Sequence, residues 1–421
     1  MYRIHAGLLI PGRGEPVPNG VVLFEGDRIG YSGSAAAAPP PNPDDEIHEV
    51  DVVMPGLWDC HTHFTGLRGP VGTEQLMLNQ AEVAVARSVR DAQLALDAGF
   101  TSVREVGGYG VYLARVIDEG TVPGPTVYPA GSVISPTGGH SDAHGLPHAW
   151  VVDPQRRNGM LQVADGVDDC LRATRLQLRL GARVIKVCAS GGVLSELDHP
   201  AHQQFSDAEL RAIVEEAARS DRVVAAHCHG KAGIMAALRA GCRTIEHGTD
   251  VDEEVAAAMR ECGAILVPTR TIYEAILSRA DQVSPAARRK LHELQERHRA
   301  AMALAHGAGV RIAMGTDLGT SMPETPFGWG HNGEEFGYLV AAGLSPLQAI
   351  AAGTADAPAT LGPQAPLSGQ LAKGYDADVI ALASDPLQDI SVLARPDTVT
   401  HVWKAGTLVK CPNHTGGRLT R

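Results

Sequence analysis

The chain has 421 residues, 44% of them hydrophobic and 20% charged, with a formal net charge of −12 at pH 7. That length fits one large α/β unit with an accessory domain, the negative charge argues against a nucleic-acid partner, and no apolar run approaches the ~20 residues that cross a bilayer. Seven cysteines, scattered and without a CxxC, make no disulfide framework; with no signal-peptide core in the opening ten residues, the expected compartment is a reducing cytoplasm.

Residues 1–50 hold short alternating runs broken by turn signals, such as Gly20-Val21-Val22-Leu23-Phe24-Glu25-Gly26-Asp27, and an Ala/Pro/Asp loop at 35–45. An apolar run at 52–58 predicts the first buried strand. Beyond it one unit recurs: an amphipathic helical stretch, a glycine, then a short β-branched run. It occurs at 91–98, Gly99 and 101–106, again at 171–180, Gly181 and 183–187, and around Gly241, Gly263 and Gly309 before runs at 244–247, 265–268 and 310–314. Glycine caps each helix, and the apolar runs read as buried parallel strands. A capping box, Ser206-Asp207-Ala208-Glu209, opens the helix before a strand at 223–227, and residues 126–133 add another. Eight alternating units over roughly 300 residues predict a (β/α)8 TIM barrel. The doubly wound alternative lacks a GxGxxG turn after the first strand. Short strands return at 378–382 and 399–406. The expected layout is a barrel at 55–362 and a small β-sandwich domain formed by both termini, residues 1–54 and 363–421, with a loosely ordered tail from Cys411.

In an extended strand residues i and i+2 share a side. His61 and His63, in Asp59-Cys60-His61-Thr62-His63, can therefore aim at one point. Strand ends of a parallel barrel converge on one mouth, and the polar residues there are His61, His63, Lys186, His227, His247 and Asp317. A single strand-end histidine is ordinarily a hydrogen-bonded structural residue. Four, with a lysine inside an apolar strand and the carboxylate of Gly315-Thr316-Asp317, make a metal-ligand set; imidazole suits zinc, iron, nickel or copper. A buried Lys186 must lose its charge or find a partner. Pairing with Glu105 is one reading. The other is reaction with CO2 to an anionic carbamate that bridges two metals. Two cations so bridged would lower the pKa of a shared water, and Asp317 could take its proton.

On Met54-Pro55-Gly56-Leu57-Trp58-Asp59-Cys60-His61-Thr62-His63, Ile185-Lys186-Val187-Cys188-Ala189-Ser190-Gly191-Gly192-Val193, Thr244-Ile245-Glu246-His247-Gly248-Thr249 and Gly315-Thr316-Asp317, the chain resembles the amidohydrolase superfamily. Ala341-Ala342-Gly343-Leu344-Ser345-Pro346 and Lys373-Gly374-Tyr375-Asp376-Ala377-Asp378-Val379 extend the resemblance to nearly the whole length. The branch is the imidazolonepropionase-related one of prolidases (Xaa-Pro dipeptidases), arginine carboxypeptidases and ochratoxin-hydrolysing amidases. The resemblance implies a barrel plus a β-sandwich and a binuclear, usually zinc, centre. It places His61, His63 and Asp317 on one metal, His227 and His247 on the other, and carboxylated Lys186 on both. It also implies that His140, in Ser135-Pro136-Thr137-Gly138-Gly139-His140, polarises the scissile carbonyl.

His229, on the same face as His227, is expected to contact substrate rather than metal. Tyr273 and Arg270, beyond the seventh strand, are candidates to hold a substrate carboxylate, against the reading of packed loop residues. Ser190-Gly191-Gly192-Val193 offers backbone amides near the mouth, residues 194–204 with His199 and His202 read as a lid, and His144 and His148 read as loop residues. The expected function is metal-dependent hydrolysis of the amide bond of a dipeptide or N-acyl amino acid with a free C-terminal carboxylate. Cyclic-amide hydrolysis or deamination is the alternative, although a strand-borne lysine disfavours mononuclear deaminases. A non-catalytic assembly protein would be expected to have lost ligands. The expected partners are a small-molecule substrate and, by family analogy, further copies of the chain in a homo-oligomer, with no nucleic acid and no membrane.

Overall fold

The computed structural model describes residues 1–69, 72–153, 160–279 and 283–412. Its strands in chain order are β1 (Tyr2–Leu9), β2 (Val17–Glu25), β3 (Arg28–Ser34), β4 (Glu46–Pro55), β5 (Leu57–Leu67), β6 (Phe100–Glu105), β7 (Thr126–Pro129), β8 (Val133–Ser135) and β9 (Leu161–Val163). They continue with β10 (Ile185–Cys188), β11 (Val224–Cys228), β12 (Thr244–His247), β13 (Ile265–Val267), β14 (Arg311–Ile312), β15 (Leu318–Thr320), β16 (Val379–Leu382), β17 (Val399–Lys404) and β18 (Thr407–Lys410). Among the described residues no helix is long and apolar enough to cross a membrane.

Both ends of the chain build one seven-stranded sheet, ordered β18-β17-β16-β4-β1-β2-β3. β4 is the seam: it pairs parallel with β1 and antiparallel with β16. Phe24 on β2 and Trp403 on β17 lie well apart in that order, yet their rings are 6.3 Å apart. The sheet therefore curls until its two halves face, and Ile4, Val22, Phe24, Val53, Val379 and Trp403 are buried between them. The tail expected to be loose continues past Pro412, outside the described residues.

The strand expected at 52–58 is two strands. β4 stays in the terminal sheet as far as Pro55, opposite Val379, and β5 begins at Leu57 opposite Phe100. Gly56 is the corner between them. A Cβ there would stand 2.1 Å from Thr101 Oγ1, so only glycine lets the chain pass β6 so closely.

The remaining strands pair in parallel as β15-β5-β6-β7 and β14-β13-β12-β11-β10-β8-β9. The strand expected at 126–133 is divided into β7 and β8, with Gly131 at φ 73° between them. Backbone hydrogen bonds continue across the sheet edges: Cys60 N–H to Met314 O at one seam, Arg183 N–H to Pro129 O at the other. Helices over Ala81–Asp97, Gly166–Leu180, Asp207–Ala218, Lys231–Ala240 and Glu253–Cys262 alternate with these strands. The Ser206–Glu209 capping box is present, and Gly181, Gly241 and Gly263 end their helices in the left-handed conformation. Each such helix buries one stripe, for example Leu210, Ile213 and Ala217. Burial at ~1.5–3 kcal/mol per large aliphatic side chain holds it on the strands.

Candidate active site

The strand ends and the loops after them enclose a cavity of about 170 Å³. His61, His63, His140, Lys186, His227, His229, His247 and Asp317 line its polar floor. The pairing explains the convergence: β11 sets His227 beside Cys188 of β10, and β12 sets His247 beside Cys228. His61 and His63 come from β5, and the Asp317 amide N–H is bonded to the His61 carbonyl. His247 (φ 69°), Asp317 (φ 64°) and Thr269 (φ 56°) take the left-handed backbone that side chains ordinarily avoid. Such outliers persist where the surroundings over-determine them, and they gather at functional sites.

The far nitrogens of His61, His63 and His247 are already engaged. His61 Nδ1–H donates to Glu246 Oε2 at 2.7 Å and His63 Nδ1–H to the Gly107 carbonyl at 2.7 Å. His247 Nδ1 meets Thr269 Oγ1 at 2.7 Å. In the neutral rings, Nε2 of His61 and of His63 is then a bare lone pair. Asp317 Oδ1 faces both, 3.5 Å from His61 Nε2 and 2.9 Å from His63 Nε2. Acceptors converging without a proton repel one another unless a cation lies among them, so this donor set fits a divalent metal. Ligand atoms of His61, His247 and Asp317 all lie within 4.8 Å of one another, and so do those of His227, His229 and His247.

Electrostatics favour ligand-competent forms at all but one of these positions: burial lowers His63, but the hydrogen bond and charge of Asp317 outweigh that and raise it. Burial, then Lys186, lowers His61 to about 4. Burial and the neighbouring histidines hold His227 and His247 well below the usual range. Burial pushes Asp317 up, but His61, His63 and Lys186 outweigh it and bring the carboxyl to about 2. Burial lowers Lys186 against the pull of Glu246 and Asp317, which favours the neutral amine that CO2 would require. Its Nζ stands 3.5 Å from His61 Nε2. Glu105 is not its partner: that carboxyl has no side-chain hydrogen bond, and burial raises it to about 7.

Several sequence expectations are corrected. Arg270 is 2% exposed and does not line the cavity. Its guanidinium donates to Glu274 Oε1 at 2.6 Å and to the Gln295 carbonyl at 2.8 Å, so it is committed to packing and does not face a substrate carboxylate. Tyr273 does line the cavity, but its hydroxyl is bonded to Thr249 Oγ1 at 2.8 Å and His229 Nδ1 at 3.0 Å. His229 lines the cavity beside His227 and His247, where a substrate contact is also within its reach. The amides of Ser190, Gly191 and Gly192 are taken by His227 O, His202 O and Asp198 Oδ2, so they offer nothing to a ligand. His148 opens a short helix, His148–Val152, rather than lying in a loop. His144 is a loop residue whose Nδ1 accepts the Leu197 N–H.

The sequence reading missed the residues behind the floor. Glu246 joins His61 to Arg104, whose Nη2 donates to Glu246 Oε1 at 2.7 Å with both side chains fully buried. Burial raises Glu246, but Arg104 and His61 outweigh it and hold the carboxyl far below its usual range. Asp59, equally buried, accepts the His61 N–H, the Thr316 N–H and hydroxyl, and Asn332 Nδ2–H. The signal in the sequence is the same as for Lys186, a charged residue inside a short buried strand, Thr244–His247.

Comparison with known proteins follows the same lines. The Amidohydrolase family profile matches residues 52–409. The chain is 46% identical to the ochratoxinase of Aspergillus niger over 97% of its own length and 86% of that protein. The crystal structure of that enzyme superposes with TM-score 0.92 at 45% identity, covering 98% of this chain and 96% of the other. A prolidase complexed with N-methylphosphonate-L-proline gives TM-score 0.88 at 32% identity, over 97% of this chain and 99% of that one. A Xaa-Pro dipeptidase gives 0.84 at 29% identity, over 97% and 99%. With that coverage and the filled strand-end positions, the chain belongs to the amidohydrolase family and is a hydrolase of amide bonds.

Proposed function

We propose that the protein is a binuclear metallo-amidase that releases an amino acid from an N-acyl amino acid or dipeptide. The observation that carries this reading is the convergence of His61 Nε2, His63 Nε2 and Asp317 Oδ1 with their outer nitrogens already held. His61, His63 and Asp317 would hold one cation and His227 and His247 the other, with His229 a further candidate and Lys186, as the CO2-derived carbamate, between them. Two divalent ions, zinc in this reading, supply Lewis acidity and a water of lowered pKa.

The chain's own residues do the rest. Asp317 Oδ1 accepts a proton and carries it to the departing amine. His140 stands at the cavity edge, its ring 4.3 Å from that of His227, where it would meet the scissile amide. Glu246 and Gly107 O keep His61 and His63 in the tautomer that leaves Nε2 free. The cavity wall selects the substrate: Leu76, Val133, Leu161, Ile272, Leu291 and Phe327 line it, which favours a large apolar group on at least one side of the amide.

The parallel sheets belong to one closed (β/α)8 barrel and the curled terminal sheet to a sandwich-like domain, in the layout of residues 55–362 against 1–54 and 363–421. A cytoplasmic homo-oligomer acting on small molecules completes the reading. The test is amino-acid release by zinc-supplemented protein from Xaa-Pro, Xaa-Arg/Lys and Xaa-hydrophobic dipeptides and N-acyl amino acids. Release abolished by chelator and by Asp317→Asn supports it. Ring opening or ammonia instead of an amino acid would move the assignment to a cyclic amide or a deamination.

A further inference from the structure

His140 is held by a network that the catalytic reading does not use. Its Nδ1 is 2.8 Å from Ser195 Oγ, and its backbone N–H donates to Gln204 Oε1 at 3.1 Å. Ser195 is 1% exposed, and its hydroxyl donates to Asp198 Oδ1. Asp198 Oδ2 accepts the Gly192 N–H at 2.9 Å and Gln204 Nε2–H at 3.1 Å. From the helix Pro285–Gly307, Lys290 Nζ donates to Asp198 Oδ1 at 3.3 Å and to the carbonyls of Gly192 at 3.0 Å and Ser195 at 2.8 Å. The ring also lies against Gly192, where a Cβ would come within 2.0 Å of Nδ1.

Counting donors assigns the protons. Asp198 accepts from Gly192, Gln204 and Lys290, so it is a carboxylate and has no hydrogen to give. The Ser195 hydroxyl hydrogen must then point to Asp198, since two acceptors at that separation would repel. Ser195 Oγ is left as an acceptor, and the hydrogen between it and the ring comes from His140 Nδ1.

We infer that Ser195 and Asp198 are positioning residues for His140, an Asp–Ser–His relay that fixes the Nδ1–H tautomer and turns Nε2 toward the cavity. The inference rests on the reading of His140 as the residue that meets the scissile amide. It changes the part expected of that ring: with Nδ1 protonated, the neutral imidazole presents Nε2 to the amide as an acceptor rather than as a donor to the carbonyl oxygen. Lys290 ties the relay loop to the long helix, so the geometry of His140 is set from outside the metal-binding floor.

Histidine-selective 15N labelling of the full chain, with His140→Asn to assign the ring signals, reads the tautomer directly. Nδ1 of His140 should carry the proton in the parent protein, and Ser195→Ala should give mixed tautomers. In amide hydrolysis Ser195→Ala should lower kcat on the order of tenfold, with KM and bound zinc unchanged. In a His140→Ala background the same substitution should lower kcat no further. An Nε2–H tautomer in the parent protein, an unaltered signal in Ser195→Ala, or an equal loss in the His140→Ala background would each overturn the relay. Ser195→Cys keeps the volume, and the same outcomes apply to it if the alanine variant does not fold. A parent protein that releases no amino acid defeats the proposed function, while the 15N spectrum still decides the relay.

Discussion

The floor and the wall of the cavity are built on opposite principles. Every floor histidine whose outer nitrogen is bonded has that bond made by a buried group: Glu246 behind His61, Gly107 O behind His63, Thr269 behind His247, Thr249 behind His229. The wall side chains Val133, Ile272, Leu291 and Phe327, from a strand, two helices and a loop, are apolar. Apolar side chains act through contact area, which is non-directional. A single floor atom therefore controls charge and proton position, whereas a wall residue controls volume. Changes to the floor should alter turnover and metal content; changes to the wall should alter which substrate is chosen.

The largest effect should come from the carboxylate that faces two lone pairs. Asp317→Asn removes the proton acceptor and a ligand, and kcat should fall on the order of 10²–10⁴-fold. Chelator treatment of the parent protein should do the same, with recovery on adding zinc; full activity in either case would remove the metal from the account. Next comes Glu246→Gln. It frees the His61 tautomer and leaves Arg104, 0% exposed, as a buried unpaired charge. Metal affinity should drop roughly 10–100-fold and stability by roughly 3–5 kcal/mol, read by metal titration and denaturant unfolding. A variant with parent metal affinity would show that the ring is oriented by packing instead.

The same contrast explains what was legible in the sequence. His61, His63, Lys186, His227, His247 and Asp317 could be read because strand periodicity and strand ends fix where they point. β6, β10, β11, β12, β13 and β14 fall within two residues of the expected runs because glycine caps and β-branched runs mark them, whereas β9 and β15 carry no such marks and were not expected. The corner at Gly56 was not, since what divides β4 from β5 is the nearness of Thr101, more than 40 positions away. Arg270 misled for a related reason. A cation after a strand looks like a ligand-binding group until the helix Pro285–Gly307 is seen to supply the Gln295 carbonyl it binds. The wall residues, such as Ile272 and Leu291 on helices and Phe327 in a loop, read as ordinary apolar positions, so the substrate stayed out of reach.

Wall substitutions should be milder and selective. Phe327→Ala enlarges the apolar side of the cavity. KM for N-acyl amino acids with large apolar acyl groups should rise on the order of tenfold, with kcat for the smallest cleaved substrate held. A uniform loss across substrates would place Phe327 with the floor rather than the wall.

Arg270 should give the smallest change in turnover, and it tests the boundary between the two regions. Its Nε and Nη2 both bond Glu274 Oε1, and Nη1 bonds the Gln295 carbonyl. Arg270→Lys keeps the charge but not the fork, so at least one of these bonds is lost at about 1–3 kcal/mol. The loss should register as a lower unfolding midpoint, while KM for substrates with a free carboxylate stays at the parent value. A KM that rises only for those substrates would mean the guanidinium swings into the cavity on binding, and would restore the carboxylate contact that the structure removes.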